Sequence, residues 1–312
     1  MKLGVSYIIF DDLELVEDSL TNLRPHVDFI TLGYSFYSWT GVPTEMDVVR
    51  FCQHMVDKGL ADDMHYGGDF LQSQSDKFNA GLARVRELTN CTHFLLMPND
   101  EFFVPEQFEW AKDYMYSNDY DSSVIFQRHY WKDESTYIYK KGAWLKRSFI
   151  FDIRDPNRRF VDNRGRDNWP PVDYRTKMPG RKIKLFSERE IMCHHLSHVR
   201  KDIRRKWDIR GNADTSSKVV NEVYDYMNTK WQPGMPAWIN GQNKPFPVKA
   251  AVLDDPVVQI PNFYQFDRNE WLATAPHPVA PDPNFSPVNG GAPRQKNHPN
   301  VRRMKNRAGR RR

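Results

Sequence analysis

Two apolar runs separated by one helix-length segment constrain this chain most. Residues 3–10 (Leu-Gly-Val-Ser-Tyr-Ile-Ile-Phe) are too continuously apolar for a surface strand and read as a buried one. Asp11-Asp12 can cap the segment that follows, where Leu13, Val16, Leu20 and Leu23 recur at helical spacing. Val27 to Leu32 is the next strand. Strands joined through a helix lie parallel, because a crossover of that length returns the chain to the end of the sheet where the previous strand began. The alternation continues. Thr44 caps a helix with Val48, Cys52 and Met55 on one face, and a further helix from Asp76 to Leu88 aligns Phe78, Leu82, Val85 and Leu88. His93 to Met97 is a strand, Pro105 suits the first position of a helix bearing Phe108, Ala111 and Met115, and Ser123 to Gln127 is another strand.

The class is therefore α/β: a mostly parallel sheet with helices on both faces. Ligands of such sheets bind outside the carboxyl ends of the strands. Asp11, Gly33-Tyr34-Ser35 and Asp100 all fall at such ends. From 128 to 192 the pattern turns irregular, aromatic and Arg-rich, which suggests long loops and mixed strands. A polar helix is expected from Ser197 to Arg210, then a wrap over the core with little regular structure. Ala275 to Pro299 carries seven of the 21 prolines and reads as an extended linker.

Composition sets the outer bounds. With 39% hydrophobic and 13% aromatic residues the chain is a folded protein. No apolar run reaches the length of a membrane span, and with a strand pattern beginning at Leu3 no signal peptide is expected. Three widely spaced cysteines, Cys52, Cys91 and Cys193, fit a reducing compartment, so a cytoplasmic location is expected. The net charge of +5 is an uneven average. Residues 293–312 hold nine Lys/Arg and no acid, so the rest of the chain is net −4. The basic character belongs to an appended arm.

Several segments, taken in order, are similar to one enzyme family. The opening strand, acidic helix start and second strand resemble the beginning of GT-A-fold glycosyltransferases of the large inverting family. Lys77-Phe78-Asn79-Ala80-Gly81-Leu82 is similar to that family's Asn-x-Gly helix start. Cys91 to Phe102, with Asp100-Glu101 after the strand, and His194-His195-Leu196-Ser197-His198-Val199-Arg200-Lys201-Asp202 resemble the metal-binding and closing motifs of a bacterial and phage branch. The resemblance covers residues 3–210. It implies a Rossmann-like mixed sheet flanked by helices, with an irregular C-terminal extension. The expected organisation is a catalytic core over 1–210, with 128–192 facing the acceptor, a C-terminal helix and wrap over 211–292, and a flexible basic tail over 293–312.

The chemistry implied is transfer of a sugar from a UDP-sugar donor. A nucleoside diphosphate leaving group gains negative charge as the sugar departs, and Mn²⁺ or Mg²⁺ bridging its phosphates stabilises it. Asp100 is the expected metal ligand and catalytic carboxylate, with Glu101 as helper. The family's Asp-x-Asp would place its first Asp at Pro98, which cannot ligate, so weaker or substrate-assisted metal binding is expected. Asn99-Asp100-Glu101 read alone is equally a polar turn before the helix at Pro105.

Cys193-His194-His195-x-x-His198 lacks the second ligand pair of a structural zinc site. Neighbouring strand residues face opposite sides, so only one of His194 and His195 turns inward. His195 is the preferred metal ligand, beside the alternative of ordinary core histidines. Lys201, Arg204, Arg205 and Lys206 are either a solvated helix face or a phosphate clamp, for which Arg200 and Lys201 are the candidates. Asp11, Tyr34, Ser35, Lys77 and Asn79 are candidate nucleotide contacts. The cluster Tyr34, Phe36, Tyr37 and Trp39 is either loop packing or a base platform. Asp133, Glu134, Asp152, Asp155 and Asp173 are all possible acceptor bases, and nothing selects one.

The arm Arg302 to Arg312 fits a polyanion: double-stranded DNA, or an anionic membrane surface. It has no Leu, Phe or Trp to insert into a bilayer, which favours nucleic acid. The acceptor then expected is the 5-hydroxymethyl group of modified pyrimidines in phage-type DNA, with the target base flipped out. The alternatives are a transferase for cell-surface or capsule glycan and a non-catalytic nucleic-acid-binding protein on the same fold.

Overall fold

The computed structural model describes residues 1–38, 42–68, 74–139, 145–162, 176–177, 182–208, 226, 230–232 and 249–275. The chain divides into two compact units, Met1–Pro278 and Val279–Arg312, and all described residues lie in the first. Trp39, Asp173, the linker from 276 on and the basic arm lie outside the described residues.

Strands β1 (Leu3–Ile9), β2 (Phe29–Tyr34), β3 (Asp63–Tyr66) and β4 (His93–Pro98) form a parallel set in the order β4-β1-β2-β3. Helices α1 (Val16–Leu23), α2 (Val48–Asp57) and α3 (Gln74–Leu88) are the crossovers, and α4 (Pro105–Ser117) follows the turn strand β5 (Glu101–Phe102). Alternation along β1 decides which helix covers which face. Leu3, Val5, Tyr7 and Ile9 share a core with Val16 and Leu20 of α1, Phe51 and Met55 of α2, and Phe108 and Met115 of α4. The opposite face takes α3, whose Phe78, Leu82 and Val85 pack on Phe94 and Leu96.

α3 approaches β1 closely. A Cβ built on Gly81 would lie 2.1 Å from Ser6 Oγ, and one on Gly4 would lie 2.3 Å from Val85 Cγ1. The absent side chains at these two crossing points are what allow the approach. Gly81 thus works in the body of the helix, not at its start.

Among its described residues, the region expected to hold long loops and mixed strands is largely sheet. β6 (Ser122–Trp131), β7 (Asp133–Tyr139) and β8 (Leu145–Asp152) are antiparallel neighbours, and β8 joins them to β4. β9 (Val161–Asp162) and β10 (Thr176–Lys177) form a separate pair, and β11 (Ile183–Leu185) runs parallel to the start of β6. β12 (Met192–His198) then runs parallel to the second half of β6, and β13 (Lys249–Val252) closes the β7 edge. The result is an eleven-stranded mixed sheet flanked by helices, the α/β class expected. The polar helix expected from Ser197 is corrected. Through His198 the chain is strand, and among the described residues the helix α5 is Ile203–Asp208; residues 209 and 210 lie outside them.

Two caps differ from expectation. The α2 cap is Asp47, whose carboxylate accepts from Arg50 N at 3.1 Å. Thr44 instead donates to Asp11 Oδ1 at 2.6 Å. Leu15 occupies the cap position of α1 with no side-chain hydrogen bond, which leaves Asp11 and Asp12 free for other partners. In the C-terminal segment, Val258, Ile260 and Phe263 pack against Leu15, Phe102, Leu196 and Val199. Asp18 anchors this segment by accepting from the backbone of Asn262 at 3.0 Å and of Phe263 at 2.7 Å. Among the described residues no helix is long and apolar enough to cross a membrane.

Candidate active site

The carboxyl ends of β1 and β4 are adjacent, because those strands pair in register from Leu3↔His93 to Ile8↔Pro98. Each strand end delivers carboxylates: Asp11, Asp12 and Glu14 after β1, and Asp100 and Glu101 after β4. A second set of contacts brings β12 to the same place. β5 pairs antiparallel with it, His195 opposite Glu101, and Leu196 N donates to Asp100 O at 2.8 Å. Ser19 on α1 ties the turn down from the other side, donating to Glu101 O at 2.9 Å.

Asp100 is the centre of the resulting cluster. Its Oδ1 faces His195 Nε2 at 3.2 Å, and its Oδ2 accepts from Arg200 at 2.5 Å and from Lys206 at 3.0 Å. Asp12 Oδ2 faces the same two cations, Lys206 at 3.2 Å and Arg200 at 3.5 Å. Glu14 lies 3.9 Å from Arg200. Burial opposes ionisation of Asp100, but Lys206, His195 and Arg200 outweigh it and hold the carboxyl well below its usual range. Asp12 is lowered the same way by Lys206 and Arg200 against its burial. Burial wins at Glu14, which is raised. Burial also lowers His195, against the opposing pull of Asp100. Its Nδ1 has no hydrogen-bond partner among the described residues.

Glu101 is in a different environment. It is buried and paired with Arg147, and its Oε1 accepts from Gln127 at 2.7 Å. That pairing turns it away from the Asp100 cluster and gives it a role in locking β5 to β6 and β8. Asp11 is likewise engaged, with Arg205 and Thr44.

The remaining sequence candidates divide into two groups. Ser35 and Lys77 meet at the end of β2, Nζ to Oγ 3.0 Å, and Ser35 donates to Gly68 O at 2.5 Å. Tyr34 adjoins Phe36 edge-on, with centroids 5.7 Å apart, and Phe36 stacks on Tyr66 at 5.8 Å. Asn79 and Lys201 lie elsewhere. Asn79 pairs with the Phe160 backbone, 3.0 Å to its O and 2.8 Å from its N. Lys201 is exposed and donates to the carbonyls of Tyr264 and Phe266.

The histidine-rich strand disperses its side chains as alternation requires. Cys193 adjoins Gln127, His194 bonds the Tyr130 hydroxyl at 2.7 Å, and His198 packs on Trp131. No cluster of three or more metal-ligating side chains occurs among the described residues. Of the possible acceptor bases, Asp133 caps β7 through Ser135 and Thr136, Glu134 bonds Tyr264, and Asp152 holds Arg154.

The donor set does not fit the expected Mn²⁺ or Mg²⁺. A divalent ion needs oxygens at about 2.0–2.2 Å and carries its charge among them. Here Asp12 Oδ2 and Asp100 Oδ2 already face two fixed cations each, and Asp100 Oδ1 is taken by His195. An added double charge would sit against Arg200 and Lys206 in a buried setting, where repulsion is weakly screened.

Sequence reading missed Asp12 and Glu14 as members of the site and Arg147 as the partner of Glu101, and it named Lys206 only within a basic run in which Arg200 and Lys201 were preferred. Asp12 was legible as a strand-end carboxylate beside Asp11. Arg147 carried no signal, since its strand was not recognised.

No family model matches the chain. No curated protein matches it either. Among solved structures, S. aureus TarS is similar at 8% identity and a TM-score of 0.41, over 74% of this chain and 41% of that one. The 1–349 portion of TarS in complex with UDP-GlcNAc is similar at 10% identity and a TM-score of 0.39, over 63% of this chain and 58% of that one. 4-Diphosphocytidyl-2C-methyl-D-erythritol synthase is similar at 12% identity and a TM-score of 0.32, over 49% of this chain and 75% of that one. The chain thus spans less than half the length of the full TarS chain.

Proposed function

We propose that the protein is a glycosyltransferase that moves a sugar from a UDP-sugar to an acceptor hydroxyl. The observation that carries the reading is the meeting of Asp12 and Asp100, from adjacent parallel strand ends, with Arg200 and Lys206. Outside such ends is where α/β sheets bind phosphorylated ligands. Fixed cations there stabilise the charge that develops on a departing diphosphate. The sequence resemblance of residues 3–210 supports the same chemistry. Ser35, Lys77 and the aromatic group Tyr34, Phe36 and Tyr66 at the neighbouring strand ends suit the nucleoside.

The acceptor we propose is the 5-hydroxymethyl group of modified pyrimidines in double-stranded DNA. Its support is the charge asymmetry of the chain, nine Lys/Arg and no acid in the last 20 residues. A cytoplasmic setting fits the three free thiols.

A UDP-release assay tests both parts, using a panel of UDP-sugars, duplex DNA with or without 5-hydroxymethylcytosine, and Mn²⁺ present or absent. Release that requires the hydroxymethyl group supports donor and acceptor together. Release indifferent to DNA keeps the transferase and moves the acceptor to glycans. No release with any donor overturns the enzyme reading in favour of a nucleic-acid-binding protein.

A further inference from the structure

We infer that Lys206 Nζ takes the place of the divalent metal, so that the enzyme binds and releases its nucleoside diphosphate without one. This rests on the proposed UDP-sugar donor. A divalent ion in such a site bridges carboxylates from separate strand ends and presents its remaining charge to the phosphates. Lys206 has that arrangement. Its ammonium bridges Asp12 Oδ2 at 3.2 Å and Asp100 Oδ2 at 3.0 Å, one oxygen from each strand end. An ammonium has three N–H donors, and these two carboxylates are the acceptors its Nζ has among the described residues. The third is left for a phosphate oxygen.

Arg200 bridges the same two oxygens from beneath, with none of its side chain exposed. Lys206 keeps 13% of its side chain exposed and is the cation on the solvent side, on α5. The division of labour follows from burial. Arg200 fixes the carboxylates in place, and Lys206 meets the ligand.

In the transfer step the bond from the sugar C1 to the β-phosphate oxygen breaks, and its electron pair stays on that oxygen beside Lys206. The acceptor oxygen forms the new bond to C1, and its proton passes to water.

Calorimetric binding of UDP to the full chain tests this in EDTA and in Mn²⁺. The expected result is equal affinity in both. Lys206→Ala is expected to bind about tenfold or more weakly in EDTA, the loss of a charge-assisted hydrogen bond. Wild-type binding that appears only with Mn²⁺ overturns the inference while keeping the UDP-sugar reading. No UDP binding in either condition overturns the UDP-sugar reading, and the inference with it. The wild-type comparison alone decides the matter if Lys206→Ala does not fold.

Discussion

The Arg200 guanidinium donates to Asp100 Oδ2 at 2.5 Å, and its side chain has no exposed surface. Burial alone would make Arg200 easier to neutralise, but Asp12, Asp100 and Glu14 outweigh it and keep the group charged. A buried cation of this kind depends on its carboxylates, and removing one leaves uncompensated charge. Asp100→Asn is therefore expected to cost about 3 kcal/mol of stability. It should also reduce UDP release by about a hundredfold or more. Urea denaturation and the release assay check the two effects separately. Wild-type stability in this variant would show that Asp100 is not what holds Arg200.

The contact of α3 with β1 yields a second prediction. Gly81→Ala brings a methyl against Ser6, whose Cβ lies 2.6 Å from the built position. Overpacking of this kind costs about 1–3 kcal/mol, against a gain of about 1 kcal/mol in helix propensity. We expect net destabilisation, relieved when Ser6→Gly is added. The double-mutant cycle should show coupling, as residues in contact do. Additive effects would mean that α3 does not rest on Ser6.

Acid sensitivity follows from two buried histidines. Burial pushes His194 down to about 3 and His93 to about 4. Both are neutral in the folded chain and titrate near 6.5 when unfolded. The unfolded state thus binds more protons between about pH 6.5 and these folded values, so stability falls as pH drops through that window. Each histidine contributes about 2 kcal/mol of loss between pH 7 and pH 5. Denaturation midpoints measured across that range should decline steadily, and His194→Gln should flatten the slope. A pH-independent midpoint would place these imidazoles in contact with water.

The basic arm is separable from the donor site. Deleting residues 293–312 removes nine positive charges. Retention on DNA should weaken, and the slope of log affinity against log salt should flatten by about 0.9 for each lost phosphate contact. UDP release in the absence of DNA should be unchanged. Unaltered DNA retention would remove the main support for a nucleic-acid acceptor.

The parallel half of the sheet was readable along the chain because its signals are local. Leu3 to Ile9 shows an unbroken apolar run, and Val48, Cys52 and Met55 recur on one helical face. Pro105 marks the start of α4 by its own stereochemistry. β3 went unread: Asp63-Met64-His65-Tyr66 is short, polar and only partly buried, so its strand character comes from pairing with β2. The same holds for β7 and β8, whose charged and aromatic residues show no clean alternation and whose pairing with β6 carries register shifts.

The candidate site divides along the same line. Asp100 and His195 could be named from the residues around them, since a carboxylate after a buried strand and alternation on β12 are both local facts. The grouping of Asp12, Arg200 and Lys206 around Asp100 is decided by tertiary structure, across as many as 194 positions between Asp12 and Lys206. Local sequence carries the period of a strand or helix and the chemistry of a side chain. Which charges neutralise one another depends on where the folded sheet brings strand ends together, and no spacing along the chain encodes that.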